Sequence, residues 1–410
     1  MLKRGIHHFF PQGSYYLALL ALGHCVVDMH SGALPVLFPY LQESYALSYA
    51  QVGTLMLLSQ ITSSVIQPLF GLTSDRISSQ WMLPVSLIAT TAGLVMVGVA
   101  GSYAAVALAV TVMGLGIAAY HPEASKVVYH MGGEYKGRAM SLFALGGNVG
   151  LAVGPALMGI GLILGPRLGP LLFAPAAFVT GALVTRSLRA MYSGGWRHPA
   201  KVQGEAAPQS ALRLNHRQRR RAVALLLMVI FIRSGAHTSL ITFVPLYFTN
   251  LLGNSTAYSS LGLTVFLIAG AAGTAIGGVV ADRRGPQWVI VASLLLSAPL
   301  IALIPLAGSG FFPILLLGAV GLTLVSSFAV TTVMGQELMP ESVGLASGLT
   351  LGFSVGTGGL TVTFLGWIGD QWGLTVVFAA IAVLAVLGGM LSLSLPSHRR
   401  QAAMPAGESL

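Results

Sequence analysis

Gly71-Leu-Thr-Ser-Asp75-Arg76 returns, 207 residues later, as Gly278-Val-Val-Ala-Asp282-Arg283. The same offset carries Glu134, Gly137, Ala139 and Leu142 onto Glu341, Gly344, Ala346 and Leu349. One register held over more than 70 residues marks an internal duplication. Each copy of Gly-x-x-x-Asp-Arg closes a long apolar run, so the duplicated unit includes the apolar runs around it.

A membrane-spanning helix needs about 20 largely apolar residues. Twelve such runs are present, near 15–40, 50–73, 81–100, 103–128, 138–164, 168–188, 221–248, 258–281, 287–307, 311–338, 342–368 and 373–395. Composition agrees: 55% of the 410 residues are hydrophobic and 8% are charged. A soluble domain carries roughly 25% charged residues, so this chain cannot cover a water-facing surface of its size. An outer-membrane barrel would show ~10-residue segments of alternating polarity, and none is visible. The 51 glycines suit closely packed transmembrane helices. The sequence therefore predicts an all-α membrane protein, with twelve transmembrane helices in two pseudo-symmetric six-helix bundles. The predicted bundles are residues 1–188 and 221–410, the second with a short cytoplasmic tail. They are joined by a basic loop, 189–220, that ends in Arg217-Gln218-Arg219-Arg220-Arg221.

Lys and Arg set the orientation. With the N-terminus in the cytoplasm, 19 of the 21 Lys and Arg residues fall on the cytoplasmic side; Arg167 lies outside and Arg233 lies within a span. The net charge of +10 then marks an inner leaflet rather than a nucleic-acid partner. No cleavable leader is expected at the N-terminus, and both termini are expected in the cytoplasm. The single cysteine, Cys25, excludes a disulfide framework and a multi-thiolate metal site. The 189–220 loop reads as a solvated linker, with a regulatory or lipid-binding segment as the other reading.

Two six-helix halves joined by a cytoplasmic loop are the layout of alternating-access transporters, whose sites lie near mid-bilayer. An ionisable side chain inside a span is costly and is a functional candidate by default. Asp28 lies 13 residues into the first run, about 20 Å along the axis. His24 precedes it by one helical turn, and an imidazole beside a carboxylate can hold or pass a proton. Arg233, about 18 Å deep, keeps its charge and needs an anionic partner, either Asp28 or a group on a substrate. His237 follows it at i+4. Glu123, beside His121 and the helix-breaking Pro122, is a further proton carrier or else a partner of Lys126 or Arg138. Gln60, Tyr120, Asn148, Thr242 and Tyr247 are candidate cavity-lining polar residues. Protons are thus expected at Asp28, Glu123, His24 and His121, and a small-molecule substrate near Arg233 and His237.

The Gly-x-x-x-Asp-Arg segments resemble the signature loop of the major facilitator superfamily, over essentially the whole chain. The resemblance implies that Asp75, Arg76, Asp282 and Arg283 help latch the cytoplasmic side, with Glu337 near the same mouth. The chain departs from the full pattern after Arg76, where Ile77-Ser78-Ser79-Gln80-Trp81 replaces Gly and further basic residues. Asp28-Met29, Gln67-Pro68, His121-Pro122-Glu123 with Ser125, Gly146-Gly147-Asn148 and Gln336-Glu337-Leu338-Met339-Pro340 look more narrowly like the fosmidomycin-resistance group. That resemblance implies efflux of small drugs or antimetabolites, anionic ones included, in exchange for protons. It also implies a bacterial inner membrane.

Proton-coupled uptake of a sugar, organic acid or similar nutrient remains the second reading, because no motif encodes direction. Enzymes are not expected. His121-Pro-Glu123 contains the H-x-E of zinc deaminases, but their P-C-x-x-C partner is impossible with one cysteine. No H-E-x-x-H and no G-x-x-x-x-G-K-[ST] occurs. A channel or receptor fits the duplicated loops less well. Neither cofactor nor resident metal is expected, and a monomer is.

Overall fold

The computed structural model describes residues 14–67, 69–70, 81–131, 136–193, 214–339, 346, 349–350 and 358–397. These residues form thirteen α-helices and no strand. In chain order they are α1 (Ser14–Tyr45), α2 (Tyr49–Gln60), α3 (Met82–Val99), α4 (Tyr103–Met131), α5 (Lys136–Leu164), α6 (Ala174–Ser193) and α7 (His216–Leu246). Then follow α8 (Thr256–Arg284), α9 (Pro286–Leu303), α10 (Phe311–Leu324), α11 (Phe328–Leu338), α12 (Gly358–Trp372) and α13 (Leu374–Ser392).

Each of the twelve apolar runs contains a helix, and the tenth is divided into α10 and α11 by a 3₁₀ turn at Val325–Ser327. Ten helical stretches among the described residues are long and apolar enough to cross a membrane. The remaining two runs hold α2 and α12, which adjoin stretches outside the described residues. Exposed side chains along the helices include Ile163, Phe178, Leu315, Val383 and Leu387. Water would not tolerate such a belt, and lipid covers it at no cost.

Local chemistry explains where the helices turn. Asn215 starts α7 with a capping box: its side chain accepts from the Gln218 N–H, and Gln218 accepts from the Asn215 N–H. Gly285 stands between α8 and α9 with φ +91°, a conformation that L side chains rarely adopt, and Pro286 opens α9 where its missing N–H costs nothing. Gly373, at φ +83°, makes the corner between α12 and α13 in the same way.

The chain falls into two compact units, Met1–Ala46 with Leu58–Val202, and Leu47–Leu57 with Gln203–Leu410. Within the first, α1 and α5 pack backbone to backbone along a glycine stripe. A Cβ on Gly146, Gly150 or Gly154 would come within 2.2, 2.1 and 2.1 Å of the carbonyl oxygens of Ala21, Cys25 and Met29. Four-residue spacing on both helices keeps the stripe on one face. The second unit uses the same device, with Gly273 and Gly277 of α8 against the carbonyls of Leu322 and Ser326.

The sequence predicts an unbroken first unit through residue 188, yet Leu47–Leu57 packs in the second. Two features account for this. Gly53, Gly359 and Gly366 let α2 and α12 touch, since a Cβ on Gly359 would lie 2.5 Å from Leu57 Cα and one on Gly366 would lie 2.4 Å from the Tyr49 oxygen. The carboxylate of Asp370 then accepts from the Tyr49 N–H (2.6 Å) and the Ala50 N–H (3.0 Å), satisfying two of the donors that open α2. Asp370, which falls between the apolar runs 342–368 and 373–395 in the sequence, is in the last turn of α12. Asp370→Ala is expected to cost about 1 kcal/mol and to lower the melting temperature in detergent. Asp370→Asn, which keeps one acceptor, should fall between it and wild type.

Candidate functional site

Three ionisable side chains meet inside the first unit. His24 and Asp28 lie one turn apart on α1, and His121 reaches them from α4. His24 Nε2 is 3.1 Å from one carboxylate oxygen of Asp28, and His121 Nε2 is 3.1 Å from the other. The side chains are 11%, 13% and 22% exposed for His24, Asp28 and His121, so water does little to screen the group.

The far side of each ring is anchored too. His24 Nδ1 donates to the Phe143 carbonyl of α5 (2.7 Å), and the ring stacks on Phe143. His121 Nδ1 donates to the Ile117 carbonyl (2.8 Å). A carbonyl oxygen only accepts, so both Nδ1 atoms carry hydrogen and both Nε2 atoms face the carboxylate. Gly147 makes the space: a Cβ there would come 2.5 Å from His24 Nε2 and 2.7 Å from an Asp28 oxygen.

The ligand-capable atoms of His24, Asp28 and His121 lie within 4.8 Å of one another, the one such convergence of His, Cys, Asp and Glu among the described residues. Both N···O gaps have the length of an N–H···O hydrogen bond.

Glu123, two residues beyond His121, is fully buried and pairs with Lys126 Nζ at 3.1 Å. Tyr120 is also fully buried, and its hydroxyl donates to the Leu20 carbonyl of α1. It bolts α4 to α1 instead of facing a cavity. Gln60 is buried at the end of α2, and Asn148 is exposed on α5.

In the second unit Arg233 sits at mid-length of α7, 1% exposed, with its guanidinium carbon 5.0 Å from the centre of the Phe328 ring. That aromatic face stabilises a cation. His237 follows one turn later, its ring 5.5 Å from that of Phe266. Thr242 is buried and donates to the Thr238 carbonyl of its own helix. Tyr247 is buried and donates to the Pro305 carbonyl. Arg283 and Glu337 line a common cavity at the ends of α8 and α11. Asp75, Arg76 and the side chain of Asp282 lie outside the described residues.

Comparison with known proteins accords with this geometry. The model of the Major Facilitator Superfamily matches residues 20–350. The chain belongs to the major facilitator superfamily. It is 34% identical over 394 residues to the fosmidomycin resistance protein of Escherichia coli (strain K12), covering 94% of this chain and 93% of that one. It is also 34% identical over 402 residues to YfnC, an uncharacterized MFS-type transporter of Bacillus subtilis (strain 168), covering 95% of each. Among solved structures, a bacterial homolog of the human lysosomal transporter Spinster superposes with a TM-score of 0.74 at 15% identity, covering 93% of this chain and 96% of that one. The nucleoside transporter NupG gives 0.74 at 14% identity, covering 92% and 99%.

For this major facilitator protein, sequence spacing pairs His24 with Asp28 and suggests Arg233 as another partner for Asp28. In the structure both oxygens of Asp28 are taken by imidazoles, and the second imidazole, His121, comes from a helix more than 90 residues away. Only tertiary packing brings it there. The alternative pairing of Glu123 with Lys126 is the one the structure adopts.

Two substitutions test these contacts. Gly147→Ala forces the cluster apart and is expected to cost about 1–3 kcal/mol, read as a lower melting temperature with altered histidine ¹⁵N shifts. Unchanged shifts would contradict the close approach. Lys126→Met removes the ammonium 3.1 Å from the buried Glu123 carboxylate and should cost roughly 3 kcal/mol. Adding Glu123→Gln to it should recover most of that loss in the same melting measurement.

Proposed function

We propose that this chain is a proton-coupled exporter of the major facilitator type, expelling a small drug or antimetabolite, anionic ones included, by alternating access. It works as a monomer in a bacterial inner membrane, with both termini in the cytoplasm. The observation that carries the reading is the convergence of His24 and His121 on the two oxygens of Asp28. Each of the two 3.1 Å N···O gaps needs one hydrogen, whichever atom holds it. With Nδ1–H on both rings, the closed cluster therefore holds two exchangeable protons and a net charge of +1.

Removing one proton sets a nitrogen lone pair against a carboxylate oxygen, and that contact cannot persist. The His121–Asp28 hydrogen bond joins α4 to α1, so its loss loosens α4 against α1 while Tyr120 still holds the Leu20 carbonyl. A substrate that binds only with this bridge open expels a proton, and a proton that closes the bridge expels the substrate. Exchange requires such mutually unfavourable binding. Arg233 and His237 hold the substrate's anionic group on the second unit. Arg233 keeps its charge because its guanidinium cannot shed a proton there, and Phe328 supports that charge. Efflux is favoured over uptake by the relative named for fosmidomycin resistance.

Proton flux in proteoliposomes, read with a pH-sensitive dye trapped inside, tests the proposal. Fosmidomycin, other phosphonates, organic acids and hydrophobic cations are the compounds added. Proton movement opposite to one of them is the expected result. Movement in the same direction would make the protein a symporter, and no movement with any would remove the coupling role of the cluster. Asp28→Asn should abolish gradient-driven transport while leaving binding intact. His121→Gln should slow exchange about ten-fold or more, the worth of one hydrogen bond to a charged group.

A further inference from the structure

A cavity of about 650 Å³ opens in the second unit where α8 and α11 end and α9 begins. Its described lining includes neither Arg233 nor His237. Two guanidinium groups, Arg283 and Arg284, stand on one wall, both exposed, against a single described carboxylate, Glu337. Below them the wall turns apolar, with Val291, Val330 and Val333.

We propose that this cavity binds an anionic phospholipid, its phosphate at Arg283 and Arg284 and one acyl chain along Val291, Val330 and Val333.

Charge and position select this occupant. Among the described residues the cavity combines a net cationic mouth with an apolar interior at the end of a span, where headgroups meet hydrocarbon. Basic pockets between transmembrane helices suit anionic headgroups for that reason. Arg284 is held over the Trp288 ring at 4.8 Å, and Trp288 is 47% exposed. An indole at the level of the headgroups is a common interfacial anchor, and here it also aims a guanidinium.

The wall is fixed before any ligand arrives. Gln287 Nε2 donates to the Ser392 and Leu393 carbonyls, tying the start of α9 to the end of α13. The corner at Gly285 sets the turn from Arg284 into α9. Gly278 leaves the cavity open, since a Cβ there would meet no atom within 4 Å. A pre-formed pocket loses less affinity to ordering than one assembled on binding.

Native mass spectrometry of the full chain in detergent tests this, with phosphatidylglycerol and phosphatidylcholine of identical acyl chains as probes. Wild type is expected to retain phosphatidylglycerol preferentially. Arg284→Gln should weaken that retention about five-fold, the worth of one cation beside an anionic lipid. Arg284→Lys should restore part of it. Gly278→Phe keeps every charge and fills the cavity, so it should weaken retention as well. Because Arg284→Gln and Gly278→Phe perturb the fold differently, a loss in both that spares phosphatidylcholine supports the site. Equal phosphatidylglycerol retention by wild type and both variants would mean a general charge effect and overturn the proposal. Displacement of the lipid by inorganic phosphate at matched concentration would also overturn it, by showing an anion site with no place for the chain.

Discussion

Inside a bilayer no water is available to a backbone N–H or a charged side chain, so each must find its partner within the protein. Helices satisfy the backbone internally and leave side chains to pack. Between helices the hydrophobic effect is weak, because lipid tails are as apolar as leucine, and close approach must hold the bundle. The glycines of α5 and α8 supply that approach, bringing carbonyl oxygens of the facing helix to where a Cβ would otherwise stand. Three buried hydroxyls meet the same constraint. Tyr120, Thr242 and Tyr247 each donate to a backbone carbonyl, which makes them structural bolts in this conformation.

The constraint also explains how much was legible in the sequence. Length and apolarity locate the helices, because both follow from bilayer thickness. The i+4 spacing places His24 beside Asp28, because helical geometry alone decides it. The approach of His121 depends on how α4 leans on α1, which no spacing on either helix encodes. Direction is hidden as well: Thr242 has the composition of a lining residue, but its hydroxyl turns back to its own helix. The packing of Leu47–Leu57 with the second unit rests on Asp370, which is 320 residues away and looks in sequence like part of a turn.

A third buried histidine shows what singles out the pair in the cluster. His30, two residues beyond Asp28 on α1, has 0% exposure. Its Nδ1 lies 2.6 Å from the Val26 carbonyl and its Nε2 lies 3.0 Å from the Thr91 hydroxyl. A carbonyl and a hydroxyl satisfy a neutral imidazole completely, so nothing about its neighbours asks for an extra proton. His24 and His121 have the same carbonyl on Nδ1 but a carboxylate on Nε2. An anionic partner in place of a neutral one is what distinguishes the surroundings of His24 and His121 from those of His30.

The cluster is the last link in a chain of dependences that begins with glycine. The stripe on α5 sets the distance between α5 and α1. At that distance the Phe143 carbonyl reaches His24 Nδ1, which fixes the tautomer. Nε2 then points at one oxygen of Asp28, and Gly147 leaves room for both. The other oxygen remains for His121, whose own Nδ1 is fixed by Ile117. Each step removes a rotational freedom that a loose imidazole–carboxylate group would keep, so the ordering cost is met by helix packing. The contact that closes the sequence is the one between Asp28 on α1 and His121 on α4.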